Sequence, residues 1–162
     1  LLQYASTNDH YFKTILASQN GEFSGWLTGV NIYEKRTDRL IQTVELEGTI
    51  LGIDNVSIGD FNFDGIQDFS VFQESFSGPN TESAYILREP NSELYFISDI
   101  DGVSLQFDYE TKTILETNSC CAGSSIINTT YKVIENQLVL IRMQCLEYNL
   151  ETEEYDDVEC EE

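Results

Sequence analysis

Short segments in which apolar and polar side chains alternate recur along the chain, with turn residues about every 8 to 12 positions. This spacing is typical of β-strands, because successive side chains of a strand point to opposite faces of a sheet. No stretch has the spacing of an amphipathic helix. The pattern therefore predicts an all-β fold of roughly eleven short strands. The predicted strands cover 11–17, 26–33, 40–46, 56–58, 69–73, 84–87, 94–97, 103–109, 113–116, 126–135 and 138–146, and a final strand covers 155–160.

Most successive strands are joined by short polar connections, and the charged stretch Glu34–Arg39 is typical of a hairpin tip. Such connections favour a β-propeller-like array of antiparallel hairpins, with an open barrel or a sandwich as the alternative. A chain of 162 residues is long enough to bury a sizeable core without help. We therefore expect a single β domain over 1–162, with an acidic C-terminal segment at about 151–162.

The stretch Asp60–Asp68, with the sequence D-F-N-F-D-G-I-Q-D, has the residue spacing of a loop that wraps a hard cation such as Ca²⁺. Gly65 stands where such a loop must turn sharply. The twelfth position is Val71 rather than the Glu of a helix-loop-helix site, and strand-like residues follow, so the loop is predicted to join two strands. The candidate ligands are the side-chain oxygens of Asp60, Asn62, Asp64 and Asp68 and the carbonyl oxygen of Ile66.

The alternative to a metal site is a solvated acidic turn, since Asp and Asn are common in turns for local hydrogen-bonding reasons. Without a cation, the carboxylates of Asp60, Asp64 and Asp68 would lie close together. Like charges near 4 Å repel by roughly 1 kcal/mol in water and by about 4 kcal/mol at an effective dielectric of 20. A bound cation would turn that repulsion into attraction, which favours the metal-binding interpretation.

The chain is strongly acidic, with 29 Asp and Glu residues against 8 Lys and Arg residues and a formal charge of -21. This charge argues against nucleic acid or an anionic membrane surface as a partner and favours a cationic one. No apolar run approaches the length needed to span a bilayer.

Four cysteines, Cys120, Cys121, Cys145 and Cys160, form an even set that suits two disulfides in an oxidising compartment. Reduced structural thiols and a zinc site are the alternatives, but no pair has the spacing of a zinc-ligand motif. A bond between adjacent cysteines requires a distorted ring. We therefore expect Cys120 and Cys121 each to pair with one of Cys145 and Cys160, in either order.

Signals for catalysis are weak. His10 is the only histidine, so any Ser-His-Asp or Cys-His arrangement would have to use it. No local pattern selects a pair of carboxylates for glycoside hydrolysis, and the chain has no glycine-rich phosphate loop. We therefore expect a protein that is not an enzyme and has no catalytic residues.

Three motifs together carry a family resemblance: the loop at Asp60–Asp68, S-G-P-N at 77–80 leading to Tyr85, and S-C-C-A-G at 119–123. Over the central two-thirds of the chain they resemble bacterial cell-envelope proteins. This group includes immunity proteins against lysozyme-like effectors of type IV secretion systems, and its fold is similar to that of periplasmic inhibitors of invertebrate-type lysozyme. The loop motif alone is shared with many calcium-binding β-repeats.

The resemblance implies a β-propeller-like fold, a structural Ca²⁺ site, export to the periplasm on a lipid anchor, and inhibition of a basic, lysozyme-like peptidoglycan hydrolase. In the lysozyme inhibitors a loop containing Ser-Gly and a nearby Tyr enters the enzyme's cleft. The residues here that look like that loop are Ser77, Gly78, Asn80 and Tyr85, although six residues separate Gly78 from Tyr85. The alternative is a calcium-dependent adhesion or carbohydrate-binding module that uses exposed aromatic side chains. A hydrolase with an acid pair is a more distant alternative.

Overall fold

The computed structural model describes residues 1–19, 22–50, 52–76 and 78–160, and it confirms the predicted all-β fold. Its only helical segment within these ranges is a short 3₁₀ turn at Cys121–Gly123. No helix in the described part of the chain has the length and apolar content needed to cross a bilayer. The strands are β1 Leu2–Ser6, β2 His10–Gln19, β3 Glu22–Glu34, β4 Leu40–Thr49, β5 Val56–Gly59, β6 Asp68–Ser75, β7 Thr81–Arg88, β8 Tyr95–Ile97, β9 Gln106–Asp108, β10 Thr113–Cys120, β11 Ser125–Ile134, β12 Gln137–Asn149 and β13 Glu154–Val158.

The strands form three antiparallel sheets in which neighbours in sequence are neighbours in space. The first sheet has the order β1-β2-β3-β4, the second β5-β6-β7-β8, and the third β13-β12-β11-β10-β9. This arrangement follows from short connections, because antiparallel strands can be joined by tight hairpins. The hairpins predicted from the sequence are therefore present as three meanders, but the described residues show no propeller.

The chain divides into two compact units, and unit 1 contains Leu1–Glu74 and Ser83–Ile100. Its core is built from alternating inward-facing residues: along β4, Val44 and Leu46 are buried whereas Glu45 and Glu47 are exposed. β6 begins with four consecutive buried residues. The fully buried members of this core are Phe12, Leu27, Val30, Ile32, Phe69, Val71 and Ile86.

Unit 2 contains Ser75–Glu82 and Asp101–Glu162, including the third sheet. Among its described residues, Ile114 is the one buried hydrophobic side chain. Long ladders accompany the small core, since β11 pairs with β12 from Ser125 to Ile134 and with β10 from Ser125 to Lys132. The acidic segment at 151–162 contains β13, which pairs with β12.

The predicted pairing of the cysteines is wrong. Cys145 forms a disulfide with Cys160, while Cys120 and Cys121 are free and exposed. Cys145 lies opposite Val158 in the β12–β13 ladder, which brings Cys160 within reach. Cys120 lies on β10, and β11 separates it from β12. Two strand spacings amount to about 9–10 Å, beyond the roughly 7 Å that a disulfide can bridge between Cα atoms.

Candidate functional site

The acidic loop Asp60–Asp68 is a tight turn closed by its own carboxylates. Asp60 accepts hydrogen bonds from the backbone N–H groups of Asp64 and Gly65, both at 2.9 Å. Asp64 in turn accepts one from the N–H of Ile66 at 2.8 Å. Gly65 has a φ of +87°, a left-handed conformation that favours glycine. The loop therefore has the sharp turn that the sequence predicts at this glycine.

Asn62 lies inside the same turn and contacts Asp64 twice. Its Nδ2 donates to a carboxylate oxygen of Asp64 at 3.0 Å, and its Oδ1 accepts from the Asp64 N–H at 3.3 Å. The side chains of Asp60, Asn62 and Asp64 are thus brought together, as a shared ligand set requires.

Asp68 occupies a different environment from the other acids of the loop. It is the first residue of β6 and is fully buried. Its two carboxylate oxygens accept from the N–H groups of Phe61, at 3.0 Å, and Arg88, at 2.9 Å. Burial raises the pKa of Asp68 to about 6, against the lowering effect of these two amides. Asp68 therefore connects the loop to β7.

The donor chemistry of this loop fits a hard cation, because Asp60, Asn62 and Asp64 supply only oxygen ligands. Across the described ranges, however, no group of three His, Cys, Asp or Glu side chains is arranged to hold a metal ion. The carboxylates are instead engaged by backbone amides of the loop. Ca²⁺ binding, with Ile66 and Asp68 as further ligands, stays a prediction.

A second candidate region lies within unit 2, where the S-G-P-N and S-C-C-A-G motifs line one cavity of about 730 Å³. Its lining includes Gly78, Pro79 and Asn80 of the first motif and Cys120 and Cys121 of the second. Ser77, the first residue of the predicted inhibitory loop, lies outside the described residues. The structure therefore brings together two motifs that are about forty residues apart in the sequence.

The side chain of Asn80 ties the two motifs together. Its Nδ2 donates to the Asn118 side chain at 3.1 Å and to the Ser119 carbonyl at 2.8 Å, while its Oδ1 accepts from the Ser119 N–H at 3.1 Å. The carbonyl of Asn80 also accepts from the N–H of Phe76 at 3.0 Å, which closes the loop over 76–80. Asn80 is buried. It therefore acts as a positioning residue for the loop rather than as part of its exposed tip.

Gly78 and Pro79 are exposed at the tip of this loop. Gly78 has a φ of +85°, and a Cβ built there would meet no atom within 4 Å. The glycine is therefore required by the backbone conformation and not by crowding.

Tyr85 does not lie at a surface. Its ring is buried in unit 1, where it packs edge-on against Phe61 with ring centroids 4.9 Å apart. Burial raises the pKa of its hydroxyl to about 12. A partner protein would reach this ring only after the core of unit 1 opened.

The contacts of Asn118 and Ser119 with Asn80 were not predicted, because neither residue has a local signal that distinguishes it from an ordinary turn residue. A bond between Cys120 and Cys121 was set aside on the basis of the sequence, but in the structure their sulfur atoms lie 2.6 Å apart. The adjacency of two cysteines in S-C-C-A-G was the signal that could have indicated this closeness.

Among solved structures, the chain is similar to one described as the structure of a Xanthomonas type IV secretion system related protein. The match has a TM-score of 0.62 and covers 96% of this chain and 92% of the other, with 16% sequence identity. No protein-family model matches the sequence, and no curated protein matches it. At this level of identity the shared property is the all-β fold.

Proposed function

We propose that the chain is an exported inhibitor, or immunity protein, that blocks a lysozyme-like peptidoglycan hydrolase by placing a loop in its active-site cleft. The observation that carries the proposal is the exposed tip at Gly78 and Pro79. The next residue, Asn80, fixes the position of the tip through three side-chain hydrogen bonds to Asn118 and Ser119. A tip that is positioned by hydrogen bonds of Asn80 before binding loses little conformational entropy on binding. Inhibition by such a loop requires no chemistry from the inhibitor, so we propose that the protein is not an enzyme.

Charge supports the choice of partner. Lysozyme-like enzymes act on an anionic wall and are often basic, and a protein with a formal charge of -21 would be attracted to them over long range. This attraction raises the association rate most at low ionic strength. We therefore expect the association rate to fall steeply with added salt while the dissociation rate changes little.

Export is supported by the Cys145–Cys160 disulfide, since such bonds persist in oxidising compartments such as the periplasm. The structural neighbour, described as related to a type IV secretion system, supports a link to such a system. Ca²⁺ at Asp60–Asp68 belongs to the same proposal as a structural cofactor, because this loop leads directly into the buried strand β6.

An inhibition assay with lysozymes of several types, and with hydrolases encoded next to this gene, tests the proposal directly. The variant Gly78→Arg places a bulky cation at the loop tip, and Gly52→Arg is its matched control. Both glycines have a positive φ and open space around the Cβ position, so both substitutions strain the backbone similarly.

We expect Gly78→Arg to weaken inhibition about tenfold or more, equivalent to 1.4 kcal/mol of binding free energy, whereas Gly52→Arg leaves inhibition unchanged. Equal inhibition by the two variants would mean that the blocking surface is elsewhere. Failure of the natural protein to inhibit any of these enzymes would overturn the proposed function.

A carbohydrate-binding module is the second candidate, and a specific observation favours it. Tyr4 is 92% exposed and lines a cavity of about 440 Å³ in unit 1 together with Tyr11 and Lys13. Tyr11 also stacks on Tyr33, with centroids 5.1 Å apart. Glycan binding that is lost in Tyr4→Ala, combined with no inhibition of any hydrolase, would favour this function.

A further inference from the structure

Cys120 and Cys121 lie at the end of β10, where the chain turns into β11. Both side chains are exposed, and their Sγ atoms are 2.6 Å apart. Neither cysteine has another thiol to pair with, because Cys145 and Cys160 already form a disulfide with each other. The fold thus leaves one disulfide-bonded pair, Cys145 and Cys160, and one pair of adjacent thiols, Cys120 and Cys121.

The backbone of this turn is already bent in an unusual way. Cys121 and Ala122 both have a φ of +58°, and Gly123 follows with a φ of +87°. A left-handed conformation is strained for a non-glycine residue, because its Cβ comes too close to the following carbonyl oxygen. The surrounding fold holds the turn in place, since Cys120 pairs with Ser125 and the preceding Ser119 is bound on both its N–H and its carbonyl by Asn80.

We propose that Cys120 and Cys121 form a disulfide with each other, which makes an eight-membered ring at the rim of the cavity in unit 2. The oxidant is a disulfide of a small thiol compound or of a protein. One cysteine thiolate attacks it to give a mixed disulfide and release one thiol, and the second cysteine then attacks the mixed disulfide and releases the other thiol. Two electrons and the two cysteine protons pass to the oxidant, which leaves as two thiols.

The environment of the pair agrees with this reaction. Both sulfurs are exposed, as attack on an external disulfide requires. Oxidation removes both thiol groups and replaces them with one apolar bridge in the lining of the cavity, which Gly78 and Pro79 also line. The ring also restricts the backbone of the turn at Cys121–Gly123, which follows the Ser119 segment bound by Asn80.

Trypsin separates the two cysteine pairs cleanly. Cys120 and Cys121 fall together on the peptide Thr113–Lys132, and Cys145 and Cys160 fall together on Met143–Glu162. The natural protein, incubated with oxidised glutathione, is unfolded in the presence of a thiol-blocking maleimide without reduction, digested and analysed by mass spectrometry. The Met143–Glu162 peptide serves as the internal control for a closed disulfide.

We expect Thr113–Lys132 to carry no maleimide and to be lighter than its dithiol form by two hydrogen atoms. The double variant Cys145→Ser/Cys160→Ser should give the same result for this peptide, because the adjacent pair does not depend on the other bond. Maleimide or glutathione on either cysteine of Thr113–Lys132, or a covalent link between the two peptides, would overturn the proposal.

Discussion

The two units of this chain are built from the same kind of antiparallel meander but are stabilised in different ways. Unit 1 buries a continuous cluster of large side chains, in which Phe12 and Phe69 lie 4.4 Å apart between ring centroids. Unit 2 buries one hydrophobic side chain among its described residues, Ile114, and has a disulfide that joins β12 to Cys160, two residues after the end of β13. Strand pairing alone therefore does not provide a core, since a core also requires side chains from more than one layer.

The difference also affects where each candidate site lies. The acidic loop of unit 1 is connected to the core through the buried carboxylate of Asp68, so a ligand bound there would change the stability of the unit. The cavity of unit 2 is lined by exposed turns held by a few hydrogen bonds. We expect substitutions at its rim to change binding more than folding.

A matched pair of core substitutions should give the largest difference between the units. Ile86 in unit 1 and Ile114 in unit 2 are both fully buried isoleucines. Isoleucine to alanine changes cost about 2–5 kcal/mol, depending on how far the surroundings collapse into the cavity. We expect Ile86→Ala near the upper end and Ile114→Ala near the lower end, as measured by denaturant unfolding. Equal losses would mean that unit 2 is packed as tightly as unit 1.

The Cys145–Cys160 disulfide should account for the next largest effect. It closes a loop with a sequence separation of 15, for which the chain-entropy model gives about 3 kcal/mol. The variant Cys145→Ser/Cys160→Ser should lose about this much stability, with the loss of hydrogen-exchange protection concentrated in β12 and β13. Unchanged protection in these strands would show that the ladder alone holds β13 in place.

Ca²⁺ should stabilise unit 1 by a smaller amount. At about 1 mM Ca²⁺ and a dissociation constant near 10⁻⁴ M, binding adds roughly 1.4 kcal/mol to the free energy of unfolding. Chelation with EDTA should therefore lower the melting temperature, and Asp60→Asn should abolish this response.

Asp108→Asn is the control for the calcium experiment, because Asp108 also accepts backbone N–H groups in an exposed turn, from Glu110 and Thr111. That variant should respond to chelation as the natural protein does. A melting temperature that EDTA leaves unchanged in the natural protein would mean that Ca²⁺ does not stabilise this fold.

The smallest expected effect is a pH dependence from His10, which is fully buried and contacts the Tyr95 hydroxyl at 2.9 Å. Burial, followed by the charge of Arg88, lowers the pKa of His10. The unfolded state therefore binds a proton more readily, and stability should fall as the pH drops below the unfolded pKa of about 6.5. Melting temperatures between pH 8 and pH 5 should fall less for His10→Phe than for the natural protein. Parallel profiles would contradict this assignment, since His10 is the only histidine.

Local patterns were sufficient for most of the fold. Alternation located nearly every strand, and the glycine of the acidic loop indicated its sharp turn, because both signals depend on a few neighbouring residues. β1, over Leu2–Ser6, was missed because its buried position is the polar Gln3 whereas Leu2 and Tyr4 are exposed, so its pattern does not indicate a buried face. The acidic loop itself was found from spacing, but the burial of Asp68 was not, since that depends on the amide of Arg88, twenty residues away.

The sequence by itself determined the strands, the turns, the net charge of -21 and the motifs that carry the resemblance. Only the tertiary structure decided which cysteines pair, that Tyr85 is buried, and that Asn80 holds the Ser119 segment. The physical reason is the separation along the chain of the residues that interact. Strand and turn preferences act between residues close in the chain, whereas pairing and burial depend on which distant segments the sheet register brings together.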